Sequence, residues 1–266
     1  MPAEPVAPQP STGSKSGPDG DGLADVVAIG AHPDDVEIGC GGTVALLARQ
    51  GYRVAILDLT DGEPTPASPG PEVRLAEARR AADLLGASER VTLTLPNRRL
   101  FDTFDARVAL GKELRRLRPR LVIGLGGRTP MASPDHEEAR KLIDAGVFYS
   151  RLSKWDEHFP GLPVHRVEAQ LYYSLRFYSL EPPPDGNEFV VDISSTLEAK
   201  MASIDAYKTQ FPPEKRSIFG RVESMARALG GAAGFEAGES LSSPRVLGTS
   251  DVMGMAGLGS SGPGGG

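Results

Sequence analysis

A histidine and two aspartates stand close together in the segment His32-Pro33-Asp34-Asp35. Neutral imidazole and carboxylate oxygens are the ligand types that Zn²⁺ and similar divalent ions prefer. Since His32 and Asp35 are three positions apart, one tight turn could direct both side chains to a single ion, with Asp34 pointing elsewhere. The alternative is a polar turn in which the aspartates only cap the following helix.

A second segment with ligand-type side chains reads Ser133-Pro134-Asp135-His136. A proline after Ser133 is typical of the first position of a helix, which puts His136 in the first helical turn. The alternative is an ordinary capped helix with an exposed histidine. The chain has only four histidines, and these two segments hold two of them. Two histidines and a carboxylate leave a coordination position open, as in catalytic zinc sites, so together the segments predict a bound metal ion.

The elements that must position these segments alternate between two periods. Short apolar runs predict buried strands, and apolar residues at helical spacing predict the helices between them. The predicted strands are 25–31, 53–60, 90–95 and 121–125, with helices at 42–50, 72–85, 103–117 and about 134–152. Further strands are expected at 170–175 and 189–193, and a helix at 195–207. This order predicts an α/β fold, a doubly wound, mostly parallel sheet with helices on both faces in a single domain. The two segments follow the first and fourth strands, where such sheets bind ligands.

Composition sets the limits of the folded unit. Glycine and proline are concentrated at the ends, which predicts a disordered tail at 1–22, a folded domain at 23–241 and a Gly/Ser-rich flexible tail at 242–266.

Composition also excludes several classes of protein. A single cysteine, Cys40, excludes a disulfide framework. A net charge of −6 argues against a nucleic-acid partner, and no apolar run is long enough to cross a membrane. We therefore expect a cytoplasmic protein with neither nucleic-acid nor membrane partners.

The segment Ala31–Thr43, AHPDDVEIGCGGT, and the later Pro134-Asp135-His136 resemble the PIG-L/LmbE-like N-acetylglucosaminyl deacetylases. The resemblance extends from about Asp25 to Glu239 and is greatest to the bacillithiol-biosynthesis branch. It implies a Rossmann-like sheet, a homo-oligomer, and a Zn²⁺ or Fe²⁺ cofactor. The implied reaction is removal of the acetyl group from an N-acetylglucosamine conjugate, such as N-acetylglucosaminyl malate.

The same resemblance implies roles for particular residues. His32, Asp35 and His136 would hold the metal, and Asp34 would be the general base that takes a proton from water. Asp135 is expected to be catalytic as well. The glycines Gly39, Gly41 and Gly42 are expected to allow close packing of this loop on the sheet, in preference to anion binding, and Cys40 is expected to be a small buried side chain.

Substrate contacts are expected from three more side chains. Arg74 resembles a family arginine that holds substrate hydroxyls, although a solvated helix cation is an equal alternative. Arg74 or Arg166 would bind the carboxylates of malate, and Tyr207 could close the pocket or simply pack.

The chain departs from the family at Ser133, where the usual motif has a histidine that stabilises the oxyanion or protonates the leaving amine. Serine supplies no cationic donor, and losing an oxyanion donor costs about 10²–10³ in turnover. Three interpretations remain open: a slow deacetylase, one whose donor comes from elsewhere (His165 or Arg166), or a metal- or sugar-binding protein with altered chemistry. Asp135, which in the family orients the missing histidine, would need another partner.

Overall fold

A computed structural model of the chain describes residues 23–176 and 187–250. The predicted tail at 1–22 lies outside the described residues, as does 251–266 of the predicted tail at 242–266. No helix in the described part of the chain is long and apolar enough to cross a bilayer.

Seven described strands form one sheet in the order β3-β2-β1-β4-β5-β7-β6. The first five strands are parallel, and β7 is antiparallel to both of its neighbours. The strands are β1 Val26–Gly30, β2 Val54–Asp58, β3 Glu89–Thr92, β4 Leu121–Leu125, β5 Ala169–Tyr173, β6 Glu188–Asp192 and β7 Gly238–Ser242. The predicted α/β fold with a mostly parallel sheet is confirmed.

Six α-helices cover the sheet: α1 Asp35–Arg49, α2 Pro71–Leu85, α3 Phe104–Leu117, α4 Asp135–Ser150, α5 Leu197–Asp205 and α6 Ser217–Ala233. Helices α1, α2 and α5 contact one another in one layer, while α3 and α4 pack together in another. The sequence analysis did not predict α6 or β7. Helix α6 buries Ile218, Val222, Ala226 and Gly230, which follow one another at intervals of four residues on a single face.

Strand order creates a crevice beside β1. The chain runs from β1 outward through β2 to β3, and then crosses to β4 on the other side of β1. Every residue of β1 and β2 is buried, because layers of helices cover both faces of the sheet. The loops after β1 and β4 separate at this switch in strand order, where doubly wound sheets place their ligands. Both candidate segments run from these loops into the first turn of the helix that follows.

Two glycines of α1 allow the close packing that the sequence predicted for this loop. A Cβ atom at Gly39 would lie 2.1 Å from the ring of Tyr173, and one at Gly42 would lie 2.7 Å from the side chain of Ile193. Helix α1 therefore lies directly on β5 and on the segment after β6. Cys40 is fully buried, as expected, and is a free thiol.

Candidate metal centre and catalytic site

His32, Asp35 and His136 meet at the carboxyl edge of the sheet, and one ligand atom from each lies within 4.8 Å of the others. His32 Nδ1 is 3.5 Å from Asp35 Oδ2, and His136 Nε2 is 3.5 Å from Asp35 Oδ1. Tetrahedral ligands that are each about 2.1 Å from one ion lie about 3.4 Å apart. The donor set and its spacing therefore fit a divalent cation.

A tight turn after β1 aims two of these side chains. Asp34 has φ 111°, a left-handed backbone conformation that is unusual for a residue with a side chain. The backbone N–H of His32 donates to Asp35 Oδ2 over 2.9 Å, and the N–H of Asp35 donates to the carbonyl of His32 over 3.2 Å. Strained backbone of this kind persists where surrounding contacts fix it, often at functional sites.

Each histidine has a partner for the ring nitrogen that faces away from the cluster. His32 Nε2 lies 3.1 Å from Asp135 Oδ2, and since an ionised carboxylate can only accept, the histidine donates. His136 Nδ1 lies 2.9 Å from the hydroxyl of Thr129. Such outer contacts fix the ring orientation and leave the opposite nitrogens available for an ion. The structure brings Thr129 to this place, which the sequence analysis missed.

The Asp135 carboxylate, which the sequence analysis expected to be catalytic, contacts a candidate metal ligand. It is 2 % exposed and accepts from His32 Nε2, from the backbone N–H of Arg98 over 2.6 Å and from that of Leu100 over 3.3 Å. It therefore orients a candidate ligand and anchors the loop before α3. Ser133, at the position of the missing histidine, instead accepts from the backbone N–H of Asp135 over 3.3 Å through its Oγ. These contacts favour a positioning role for Asp135, and the catalytic role expected from the sequence stays a prediction.

Burial and neighbouring charges perturb the titration of these groups. Burial raises the pKa of Asp34 to about 7, although the positive charge of Arg74 acts in the opposite direction. Burial lowers the pKa of His32, but hydrogen bonds to Asp135 and Asp35 outweigh it and raise the pKa to about 10. Burial raises the pKa of Asp35, yet the charges of His136 and His32 and the hydrogen bond from His32 bring it well below its usual range. A cation bound between these groups would take the place of the proton on His32.

The cluster opens into a cleft of about 550 Å³, within the range of small-molecule sites. His32, Asp34, Asp35 and His136 line its floor, and Ser133 lines it as well. Four cationic residues also line the cleft: Arg74, Arg98, Lys215 and Arg221. The cleft therefore combines a candidate metal site with a cationic wall.

Arg74 lines the cleft, and its expected contact with substrate stays a prediction. It is 2 % exposed, and its Nη2 donates to Asp34 Oδ2 over 3.2 Å and to the carbonyl of Pro33. Its Nε and Nη1 are buried and have no hydrogen-bond partner within residues 23–176 and 187–250. Both groups therefore keep donor capacity that no described residue uses.

Tyr207 lies behind Arg74, where it is fully buried. Its hydroxyl donates to Glu37 Oε1 over 2.8 Å, and the Arg74 guanidinium carbon lies 5.4 Å from the centre of its ring. The expectation that Tyr207 binds substrate is therefore corrected, since its side chain packs and supports Arg74. This is the alternative that the sequence analysis left open.

Arg166 lies at the opposite edge of the sheet, so its expected contact with substrate is also corrected. It precedes β5, and the neighbouring His165 donates from Nε2 to the carbonyl of Pro119, just before β4. Both residues are thus near the amino ends of parallel strands, whereas the cluster lies at their carboxyl ends. Neither can replace the missing histidine at Ser133.

A buried charged network beneath the cluster was missed from sequence. Arg90 in β3 forms two hydrogen bonds of 2.8 Å with Asp58 at the end of β2, and a third of 2.5 Å with Glu37 Oε1. Asp58 and Glu37 are fully buried. The available signal was Asp58 at the end of the apolar strand β2, because a charge is found inside a protein only when it is paired.

The fold and the site define a class: doubly wound α/β proteins with a two-histidine, one-carboxylate cluster at the carboxyl edge of the sheet. The family model described as GlcNAc-PI de-N-acetylase (PIG-L) matches residues 27–146. A diacetylchitobiose deacetylase from Thermococcus kodakarensis is 30% identical over 198 residues, which cover 71% of each chain. The chain belongs to the PIG-L family.

Two solved structures have the same fold along most of their length. The conserved protein TT1542 from Thermus thermophilus superposes with a TM-score of 0.74 at 34% identity, covering 86% of this chain and 98% of that one. The N,N'-diacetylchitobiose deacetylase from Pyrococcus horikoshii superposes with a TM-score of 0.72 at 26% identity, covering 84% of each. The resemblance to the PIG-L/LmbE-like family is confirmed, and the narrower bacillithiol branch stays a prediction.

Proposed function

We propose that this protein is a metal-dependent hydrolase that removes the N-acetyl group from an N-acetylglucosamine conjugate. The observation that carries the proposal is the convergence of His32, Asp35 and His136 beside the buried Asp34 carboxylate in one cleft. Membership of a family whose relatives are named as deacetylases supports the reaction type. Zn²⁺ is the cofactor that we propose, and Fe²⁺ would accept the same ligands.

Hydrolysis of the amide needs a Lewis acid that activates the carbonyl group and a base that takes a proton from water. When bound, the ion supplies Lewis acidity, which polarises the amide carbonyl and lowers the pKa of water. Asp34 lines the cleft beside Asp35, and Arg74 holds its Oδ2 in place. In this arrangement Asp34 takes the proton from the attacking water and passes it to the nitrogen of the leaving amine. The products are acetate and a free sugar amine.

Cationic side chains suggest how the rest of the substrate binds. The Arg74 guanidinium lines the cleft and is suited to sugar hydroxyls, which accept hydrogen bonds. Among the described residues that line the cleft apart from the metal cluster, Asp34 and Arg74, three are cationic (Arg98, Lys215 and Arg221) and one is acidic (Glu214). We propose an anionic aglycone on this basis, with N-acetylglucosaminyl malate as the substrate to test first.

The test is amine release from a panel of conjugates by protein loaded with Zn²⁺ or Fe²⁺. The panel contains N-acetylglucosaminyl malate, an N-acetylglucosaminyl inositol and diacetylchitobiose. Asp34→Asn is the matched control, and we expect it to lose about 10²–10⁴ in turnover while it binds a stoichiometric amount of metal. A preference for malate over the two neutral aglycones supports the anionic subsite. The absence of release from every conjugate, despite stoichiometric metal, would exclude the deacetylase.

Ser133 supports a second candidate, a metal- or sugar-binding family member with lost or altered catalysis. Its Oγ accepts from the Asp135 backbone, and the Asp135 carboxylate is already engaged by His32. In the family, a histidine at position 133 acts on the leaving group and the aspartate at position 135 orients it. This pair is absent here. Stoichiometric metal and saturable sugar binding without turnover would identify this second function.

A further inference from the structure

Helix α1 is interrupted at Cys40, whose φ of −144° and ψ of 22° are not helical. In an uninterrupted helix, the N–H groups of Gly42 and Thr43 would donate to carbonyls four residues earlier. Here they donate to the carboxylate of Glu239 in β7, over 2.9 Å and 2.7 Å. The hydroxyl of Thr43 donates to the same carboxylate over 2.6 Å. Cys40 thus divides α1 into a first piece, 35–39, and a second piece, 41–49. Glu239 caps the second piece.

Lys200 in α5 caps the first piece. Its ammonium donates to the carbonyls of Glu37 and Ile38 over 3.2 Å and 2.6 Å, and to Glu239 Oε1 over 2.6 Å. The Lys200 and Glu239 side chains are 2 % and 3 % exposed. One buried ion pair thus spans the interruption, with the cation at a carbonyl end and the anion at an N–H end, which is the favourable orientation for helix dipoles.

The first piece of α1 carries the reactive residues. Asp35 begins the helix, and Asp34 immediately precedes it. Gly39 places this piece against the ring of Tyr173, where no side chain would fit. At the interruption, Glu239 accepts from the N–H groups of Gly42 and Thr43, and Lys200 holds the carbonyl of Ile38 at the far end of the first piece. The direction of the first piece then fixes where the Asp34 and Asp35 carboxylates lie.

We propose that Lys200 and Glu239 are positioning residues that hold Asp34 and Asp35 in their reactive geometry. This inference rests on the proposed function. Neither residue belongs to the candidate ligand cluster or to the lining of the catalytic cleft. Both also lie outside residues 27–146, the region that the family model matches. The pair therefore links the second half of the chain to the turn that carries the chemistry.

The experiment compares Lys200→Met and Glu239→Gln with Arg115→Met as a matched control. Arg115 is another buried cation, 1 % exposed, that donates to the carbonyls of Ser150, Leu152 and Leu162 at the opposite edge of the sheet. Zn²⁺ affinity is measured by competition with a chromophoric chelator, and kcat and KM are measured at saturating Zn²⁺. Melting temperatures show how far each variant is destabilised.

We expect Lys200→Met and Glu239→Gln to bind Zn²⁺ about tenfold more weakly and to lose about tenfold in kcat, with KM changed by less than about threefold. Arg115→Met should melt earlier but keep Zn²⁺ affinity and kcat within about twofold, since its hydrogen bonds go to Ser150, Leu152 and Leu162 at the opposite edge of the sheet. Zn²⁺ affinity and kcat that match those of the control would overturn the positioning role.

A milder variant keeps the test decisive if a buried charge left alone prevents folding. Thr43→Val removes only the 2.6 Å hydroxyl bond to Glu239 and leaves the ion pair intact. We expect about a threefold loss in kcat at saturating Zn²⁺, and an unchanged kcat would count against the proposal. A wild-type protein that binds no Zn²⁺ would refute the proposed function, whereas unchanged variants of a Zn²⁺-binding protein would refute only the positioning role.

Discussion

Replacing Asp135 with asparagine separates its two possible roles, orienting His32 or acting on the substrate. The Asp135 Oδ2 atom accepts from His32 Nε2 and from the backbone of Arg98, while Oδ1 accepts from the backbone of Leu100. An asparagine whose oxygen takes the place of Oδ2 keeps the first two contacts. Its amide nitrogen then faces the N–H of Leu100, donor against donor, and the negative charge beside His32 is lost.

The size of the effect follows from those contacts. A charge-assisted hydrogen bond is about twice as strong as a neutral one, so the amide orients the His32 ring less firmly. Loss of such an outer partner reduces metal affinity by about 10–100-fold, which corresponds to about 1.4–2.7 kcal/mol. The unpaired Leu100 N–H adds about 1–3 kcal/mol of destabilisation to folding. Both effects arise without any change to the three candidate ligands.

The assay is Zn²⁺ affinity by chelator competition, followed by kcat at saturating Zn²⁺. Glu138→Gln is the matched control, because the Glu138 carboxylate accepts from the backbone of Asp102 over 2.9 Å in the same loop but does not touch His32. We expect weaker Zn²⁺ binding only in Asp135→Asn, with most of the turnover recovered when the site is saturated. Unchanged affinity together with a lost kcat would refute the positioning role and assign Asp135 to the reaction itself.

Four further substitutions test the site and its supports. Ser133→His should raise kcat about tenfold or more by restoring a cationic donor, and an unchanged rate would show that the donor comes from elsewhere. Arg74→Met should raise KM by about tenfold, since a buried donor to substrate is lost. Arg166→Ala should leave kcat and KM unchanged because this residue lies at the other edge of the sheet, and an increased KM would contradict that placement. Gly39→Ala should lower the free energy of unfolding by about 1–3 kcal/mol, measured by chemical denaturation, because the new Cβ would lie 2.1 Å from the ring of Tyr173.

The local pattern of apolar residues was sufficient to predict where most strands and helices of the sheet region lie. Strands β1, β2 and β4 are mostly apolar, and helices α2, α3 and α4 have apolar residues at helical spacing, so their positions are predicted within a few residues. Strand β3 is also predicted within a few residues, although Glu89 and Arg90 make it less apolar. Helix α1 begins at Asp35, seven residues before the predicted start at Gly42, because its first turn carries two acidic residues and glycines follow at 39, 41 and 42. Strand β7, with the sequence Gly-Glu-Ser-Leu-Ser, lacks a hydrophobic signal and pairs only because β5 and β6 are present on either side.

The candidate ligands could be found from residue types alone, whereas their partners could not. Histidine and aspartate after buried strands point to an ion, and parallel strands bring their carboxyl ends to one edge. The partner of Asp135 depends on the angle at which α4 meets the turn after β1, which no local pattern encodes. For the same reason, sequence placed Tyr207 in the pocket, although the packing of α5 on α2 places it behind Arg74.

The sequence by itself determined the α/β class, the edge of the sheet where chemistry is expected, and the ligand types of His32, Asp35 and His136. These depend on short-range periodicity and on chemistry that each side chain has independently of its neighbours. Only the tertiary structure decided that Asp135 orients His32, that Arg166 lies far from the cleft, and that Lys200 and Glu239 span the interruption in α1. Such contacts join residues more than thirty positions apart, and their geometry is fixed only when the layers of the fold pack together.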